Sequence, residues 1–204
     1  FNIIVKFCFR KGLQMELLKK KSRDVGRVIG DDILKVDSFL NHQIDVEFID
    51  KVGKEFYERF KDDKITKVLT VETSGISVAF ATARYFKVPV VFAKKTESRN
   101  IDDDVFESQV YSFTKSKEYK VRISKMHLNE DDVVLIVDDF LASGSATNSM
   151  IDIASQAGAK IAGFGIVIEK VFQEGGNKLR ESGYKIESLA MIEKFEDGQV
   201  VFYK

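Results

Sequence analysis

The chain has 204 residues, of which 44% are hydrophobic. A single domain of this length buries roughly 70% of the surface that its unfolded chain exposes, so a full hydrophobic core is available. Lysine and arginine total 32, as do aspartate and glutamate, and this balance excludes a general attraction for nucleic acid or membrane surfaces. One cysteine, Cys8, excludes an internal disulfide and a zinc site of paired cysteines. No apolar run approaches the length of a membrane span, about 18 residues. Because the chain has a single cysteine, we expect a cytoplasmic protein.

Residues 1–14 are interpreted as an extension that does not belong to the functional domain. Their apolar run is interrupted by Lys6, is followed by basic residues and lacks the small residues of a signal-peptide cleavage site. Met15 then begins a charged amphipathic segment. We therefore expect one domain over residues 15–204, the alternative being that residues 1–14 add an ordinary strand.

Helices and strands alternate in the first half of this domain. Apolar residues recur at intervals of three and four over residues 46–60, which predicts a helix, and Asp45 can cap its first turn. Short valine-rich segments bounded by polar residues predict strands. Next in chain order we expect a buried strand over 67–72, a helix over about 76–86, a strand over 88–93, and an antiparallel ribbon made of 111–113 and 119–124.

The second half continues the alternation. Five apolar residues over 133–137 end abruptly at two aspartates, a profile typical of a central parallel strand. The dipeptide Asp197-Gly198 is typical of a tight hairpin turn. After the strand over 133–137 we expect a helix over about 146–156, a strand over 161–168, a short helix around 177–182, and strands over 184–192 and 199–203 joined by the hairpin turn.

This order of elements predicts an α/β fold with a mainly parallel sheet. In such sheets ligands bind beyond the carboxyl ends of the strands, at the point where the strand order reverses. The side chains that directly follow the predicted strands are therefore the candidates for chemistry.

The segment 133–150 carries the strongest functional signal, because an acidic pair, Asp138 and Asp139, is followed by a loop of small residues that leads into a helix. The loop consists of Ala142, Ser143, Gly144, Ser145 and Ala146. Small residues let the backbone wrap an anion, and a helix N-terminus supplies N–H groups and a positive dipole, so the loop is typical of phosphate binding. It lacks the spacing of a P-loop or a dinucleotide-binding motif. The alternative is an ordinary strand–loop–helix unit whose aspartates and serines are caps.

Other residues follow the neighbouring strands. Residues 72–76 (Glu-Thr-Ser-Gly-Ile) lead into a helix, so their N–H groups can face an anion, although a plain capping turn has the same composition. Lys94 and Lys95 lie at the same edge of the sheet, where they can neutralise an anion or remain solvated. Lys170 follows a third strand, and Phe172 beyond it is interpreted as a core residue rather than as a ring that stacks on a ligand.

Two remaining features receive structural interpretations. His42 and His127 are far apart and are expected to be surface or structural residues, and no set of metal ligands is assigned. The polar segment Asp102–Asp104 can form a mobile flap over a site.

The segment VLIVDDFLASGSA (134–146) resembles the signature of the type I phosphoribosyltransferase family for 5-phosphoribosyl 1-pyrophosphate (PRPP). That family generally has threonine where this chain has Ser143 and Ala146, a departure that leaves backbone contacts unaffected. The segment 34–45 is similar to that of the members that use xanthine. The resemblance covers residues 15–204 and is also carried by LKVDSFLNHQID (34–45), VETSGI (71–76), VPVVFAKK (88–95), VYSFTK (110–115) and IAGFGIVIEKVFQ (161–173).

The resemblance implies a central, mainly parallel sheet flanked by helices, with a small hood formed by N- and C-terminal segments. It implies transfer of a phosphoribosyl group from PRPP to xanthine in purine salvage, with Mg²⁺ bound through PRPP, in a homodimer. Alternatives are a hypoxanthine-guanine or adenine transferase, and a non-catalytic PRPP-sensing regulator of transcription.

The resemblance also assigns residues. Asp138 and Asp139 are catalytic, and the loop 142–146 binds the 5′-phosphate of PRPP. Leu34, Asn41 and Lys170 bind xanthine. A cation such as Lys170 favours an oxo-purine over an amino-purine, and the side chain of Asn41 offers both a donor and an acceptor to the base.

Overall fold

A six-stranded sheet forms the centre of the fold. The computed structural model describes residues 15–30, 32–95, 104–112 and 117–203, so the proposed extension and both Asp102 and Asp103 of the proposed flap lie outside the described residues. In chain order the elements are α1 (Glu16–Val25), β1 (Arg27–Ile29), β2 (Ile33–Lys35), a π-helical turn (Asp37–Asn41), α2 (Val46–Phe60), β3 (Lys67–Val71), α3 (Gly75–Phe86), β4 (Val90–Ala93), β5 (Val105–Ser112), β6 (Lys117–Ser124), a 3₁₀ turn (Lys125–His127), β7 (Val133–Leu141), α4 (Ser145–Gln156), β8 (Lys160–Lys170), α5 (Gly175–Glu181), β9 (Ile186–Glu196) and β10 (Gln199–Phe202).

The strands of the central sheet lie in the order β10-β9-β8-β7-β3-β4. All neighbours are parallel except β10, which pairs antiparallel with β9. The predicted α/β fold with a mainly parallel sheet is therefore confirmed. Because β4 lies on one side of β3 and β7 on the other, the strand order reverses between β3 and β7, and a ligand is expected at that edge.

Both faces of the sheet are covered, which is why its central strands are almost entirely apolar. One face packs against α2, α3 and the N-terminal segments around Phe39, Phe56 and Phe60. The other face packs against α4 and the β5–β6 ribbon around Met150 and Phe164. The site at the sheet edge is thus framed by different elements above and below.

The hood consists of α1, β1, β2 and the π-helical turn. Within it, α1 packs on β9 and β10, β1 packs on β10, and the π-helical turn packs on α3. The N–H of Met15 donates to the carbonyl oxygen of Leu189 at 2.7 Å. The ammonium of Lys21 lies 2.5 Å from Asp45, whose other carboxylate oxygen accepts the N–H of Phe48 at 3.1 Å. Asp45 therefore caps α2, as predicted, and also ties α2 to the hood.

One predicted strand end is wrong in a way that matters for the site. The apolar segment is expected from the sequence to end at Val137, but β7 continues to Leu141 and contains Asp138 and Asp139. The reason is that β8 extends alongside, with Asp138 paired to Ile166 and Leu141 to Glu169, so the backbone ladder continues past the apolar residues. The hairpin turn is confirmed, with positive φ values at Asp197 (50°) and Gly198 (71°).

Candidate active site

A cavity of about 550 Å³ opens at the carboxyl ends of β7 and β8. It contains the whole loop 142–146 and Lys170, so the structure brings the predicted phosphate loop and the predicted base-binding lysine together. The cavity is lined by Asp32, Ile33, Val110, Tyr119, Phe140, Leu141, Ala142, Ser143, Gly144, Ser145, Ala146, Thr147, Lys170 and Gln173.

The loop 142–146 takes its shape from Gly144, which adopts φ 85° immediately before α4. The carbonyl oxygen of Gly144 accepts the N–H of Asn148 and the hydroxyl of Thr147, both at 2.8 Å, which closes the first turn of the helix. The loop wraps the N-terminus of α4, where backbone N–H groups and the helix dipole favour an anion. The geometry is therefore suited to a phosphate group.

The two aspartates are adjacent near the end of β7. The amide nitrogen of Asn41 donates to Asp139 at 3.3 Å. One carboxyl oxygen of Asp138 accepts the N–H of Asp139 at 2.9 Å. Burial raises the pKa of Asp138 well above its ordinary value, the charge of Asp139 raises it further, and the charge of Lys95 opposes both effects.

Tyr119 is a residue of the site that the sequence did not reveal. It lies on β6, lines the cavity, and has its pKa raised by burial and then by the charge of Asp138. The ammonium of Lys95 lies 5.4 Å from the centre of its ring. The ribbon reaches this place because Lys94 and Arg122 form a backbone bridge, with both N–H to O distances 3.0 Å. No spacing in the sequence indicates such a long-range bridge.

Residues 72–76 follow β3 at the same edge. A carboxylate oxygen of Glu72 accepts the N–H of Lys95 at 2.6 Å, and the peptide bond between Glu72 and Thr73 is cis. Gly75 begins α3, and a Cβ placed on it would lie 3.1 Å from Asp138 and 2.0 Å from the Thr70 hydroxyl. This segment therefore lies next to Asp138.

The base-binding candidates occupy different positions. Lys170 is half-buried, and its ammonium donates to the main-chain oxygen of Asp32 at 2.7 Å. Burial lowers the pKa of Lys170, while the charge of Asp32 raises it. The side chain of Leu34 is only 5% exposed and packs in the core, so only its backbone is available to a ligand. The interpretation of Phe172 as a core residue is wrong, because it is 45% exposed and packs edge-to-face on Phe195.

The remaining predictions concern features outside this cavity. His42 and His127 are exposed, as expected. Among the described residues, no three His, Cys, Asp or Glu side chains are arranged to hold a metal ion, and no described helix is long and apolar enough to cross a membrane.

Comparison with known proteins identifies the class. The model of the phosphoribosyl transferase domain matches residues 36–196, and the chain belongs to that family. It is 55% identical to the xanthine phosphoribosyltransferase of Ruminiclostridium cellulolyticum over 188 residues, which cover 92% of this chain and 99% of the relative. It is 57% identical to xanthine phosphoribosyltransferase 1 of Clostridium perfringens strain 13 over 189 residues, with 92% and 100% coverage.

Solved structures confirm the fold. An adenine phosphoribosyltransferase from Giardia lamblia in complex with 9-deazaadenine superposes with a TM-score of 0.73, at 22% identity, covering 88% of this chain and 98% of that one. The adenine phosphoribosyltransferase of Trypanosoma brucei gives a TM-score of 0.70 at 18% identity, covering 85% and 79%. At these identities the similarity establishes the architecture alone.

Proposed function

We propose that this protein transfers the phosphoribosyl group of PRPP to xanthine, giving xanthosine 5′-monophosphate and pyrophosphate. The observation that carries the proposal is that one cavity joins an anion-binding loop, 142–146, to a half-buried cation, Lys170. Such a cavity suits a substrate with a phosphate at one end and an oxo-purine at the other. The xanthine phosphoribosyltransferases that are more than half identical to this chain support the same base.

PRPP is oriented by three groups of residues at the edge of the sheet. The first, the loop 142–146, binds its 5′-phosphate through backbone N–H groups. The second, residues 72–76 with Lys95, faces its pyrophosphate. The third, Asp138 and Asp139, lies next to the ribose, between the 5′-phosphate and the pyrophosphate. The proximity of Gly75 to Asp138 supports this order, because a Cβ placed on Gly75 would lie 3.1 Å from a carboxyl oxygen of Asp138.

The reaction exchanges one bond at the ribose C1′ carbon for another. The bond from C1′ to the pyrophosphate oxygen breaks, and pyrophosphate leaves with the electron pair. N9 of xanthine forms the new bond to C1′ and passes its proton to an oxygen of the departing pyrophosphate. Positive charge develops on the ribose between these events, and Asp139 offsets it as a carboxylate, while Asp138, whose pKa is raised by burial, can keep a proton and donate to a hydroxyl.

The acidic residues fit a Mg²⁺ ion that is held mainly by PRPP. Mg²⁺ in phosphate sites is bound by one or two carboxylates together with substrate oxygens, and Asp139 offers one. When bound in this way the ion neutralises charge on the departing pyrophosphate.

The choice of base is expected to depend on Asn41. Xanthine differs from hypoxanthine by an oxygen at C2 and a hydrogen at N3, and the amide of Asn41, which is oriented by Asp139, can pair with these groups. Loss of such a partner removes discrimination between the two bases. Asn41→Ala should lower the xanthine-to-hypoxanthine ratio of kcat/KM by about tenfold or more. Lys170→Ala should instead lower kcat/KM for both bases together.

Steady-state kinetics with the two bases measure these effects. His42→Ala, a change of the exposed residue that directly follows this turn, is the matched control and should leave the ratio unaltered. An unchanged ratio in Asn41→Ala would mean that the hood does not recognise C2.

The activity itself is tested by offering xanthine, hypoxanthine, guanine and adenine separately with PRPP and Mg²⁺. Xanthine should be the preferred acceptor, and formation of xanthosine 5′-monophosphate should require PRPP. Preference for another base would reassign the substrate, and release of no pyrophosphate with any base would overturn the proposed activity.

Two further parts of the proposal are a homodimer, which the resemblance to the family supports, and a cytoplasmic location, which the presence of a single cysteine supports. Sedimentation measures the first, and fractionation of cells measures the second. The proposal that residues 1–14 are dispensable predicts equal kcat/KM for the full chain and for a chain that begins at Met15.

A further inference from the structure

A buried ion pair lies behind the cavity and belongs to neither substrate site. Glu169 is 1% exposed, and both of its carboxylate oxygens are bound by the guanidinium of Arg180, each at 2.6 Å. The hydroxyl of Ser188 donates to the same carboxylate. Glu169 directly precedes Lys170 on β8, and because side chains alternate along a strand, it points away from the hood and toward α5.

Such a pair needs an explanation other than stability. Replacing a buried ion pair by apolar residues is often neutral or stabilising, because desolvation offsets the attraction between the charges. A bidentate contact between a guanidinium and a carboxylate does, however, fix the relative orientation of the two side chains as well as the distance between them.

This ion pair anchors the short helix α5, whose N-terminus packs on the phosphate loop. The N–H of Gly175 donates to the carbonyl oxygen of Ala142 at 3.1 Å. A Cβ on Gly175 would lie 2.4 Å from that oxygen and 2.6 Å from the nitrogen of Gly144. A Cβ on Gly176 would lie 2.0 Å from a carboxylate oxygen of Glu169. The backbone of α5 thus packs directly on the backbone of the phosphate loop, and Arg180 binds Glu169 from the other end of the helix.

We infer that Arg180 and Glu169 are positioning residues for PRPP: their ion pair holds α5 against residues 142–144 and so keeps the phosphate loop in its binding shape. The inference rests on the proposed function, because it assumes that this loop receives the 5′-phosphate. Loss of the pair lets α5 withdraw, and the loop then loses the contact that fixes Ala142 and Gly144.

Calorimetry with ribose 5-phosphate and with PRPP tests the inference on two variants of the full chain. The double variant Glu169→Gln with Arg180→Met removes both charges, keeps an acceptor for Ser188 and avoids an unpaired buried charge. Arg180→Lys keeps the charge but loses the bidentate contact. Both variants should bind ribose 5-phosphate and PRPP about tenfold more weakly, as expected when a binding group is displaced by a fraction of an ångström. The KM for xanthine should change little.

Arg59→Lys is the matched control. Arg59 is also a mostly buried arginine, paired with Glu55 at 2.8 Å and Glu187 at 3.3 Å, but it lies outside the cavity. It should affect melting temperature without affecting ribose 5-phosphate binding. Wild-type affinity in Arg180→Lys would overturn the inference whether or not the double variant folds. A wild-type protein that binds ribose 5-phosphate but does not convert xanthine would instead overturn the proposed function alone.

Discussion

Gly144→Val should abolish PRPP binding while the protein remains folded. Gly144 adopts φ 85°, a backbone conformation that a β-branched residue avoids. Its Cβ would also lie 3.2 Å from the Cα of Gly175, so the loop could not keep its contact with α5. Because a phosphate must approach the backbone of this loop closely, the displaced loop loses its ligand.

Titration calorimetry with PRPP measures the loss, and circular dichroism measures the fold. The control is Gly198→Val, since Gly198 has φ 71° in the hairpin turn between β9 and β10 and a Cβ placed on it would meet nothing within 4 Å. That variant carries a similar backbone strain at a distance from the cavity and should bind PRPP normally. Micromolar binding in Gly144→Val would show that the 5′-phosphate binds elsewhere.

The second large effect is expected for the acidic pair. Asp139→Asn should lower kcat by about 100-fold, because a carboxylate that offsets developing positive charge is lost. Asp138→Asn should lower kcat less, since the raised pKa of Asp138 already favours its neutral form. Asp152→Asn, which changes an exposed residue of α4, is the control. Unchanged turnover in both Asp138→Asn and Asp139→Asn would contradict the assignment of the pair.

Asp138→Asn should also change stability in the direction opposite to activity. When folding raises the pKa of a carboxyl group, its contribution to stability is full below the unfolded pKa, near 3.8, and is lost as the pH rises through the folded value. Replacing Asp138 by a neutral residue should therefore raise the melting temperature at neutral pH, and this gain should vanish in acid. Thermal unfolding of the wild type and of Asp138→Asn, at neutral pH and below the unfolded pKa, measures this change in melting temperature.

Much of the site could be predicted because its signals are local. The phosphate loop is a run of small residues between a strand and a helix, and its position at the sheet edge follows from the alternation of elements. Asp45 is recognisable as a cap, and Asp197-Gly198 as a hairpin turn, for the same reason. These features depend on a few adjacent residues, so tertiary structure does not override them.

The features that could not be predicted depend on distant parts of the chain. Tyr119 enters the cavity only because the ribbon bridges to Lys94. Arg180 reaches Glu169 through the fold of α5. The extent of β7 is underestimated from the sequence because its last pairs come from β8, and the two aspartates themselves carry no strand signal.

The extension of β7 through the acidic pair has a consequence for the length of this segment. Because Asp138 and Asp139 belong to a strand paired on β8, the face that each occupies is set by counting residues along the ladder. Inserting or deleting one residue between Val133 and Val137 would turn each carboxylate to the other face of the strand, although no side chain would be altered.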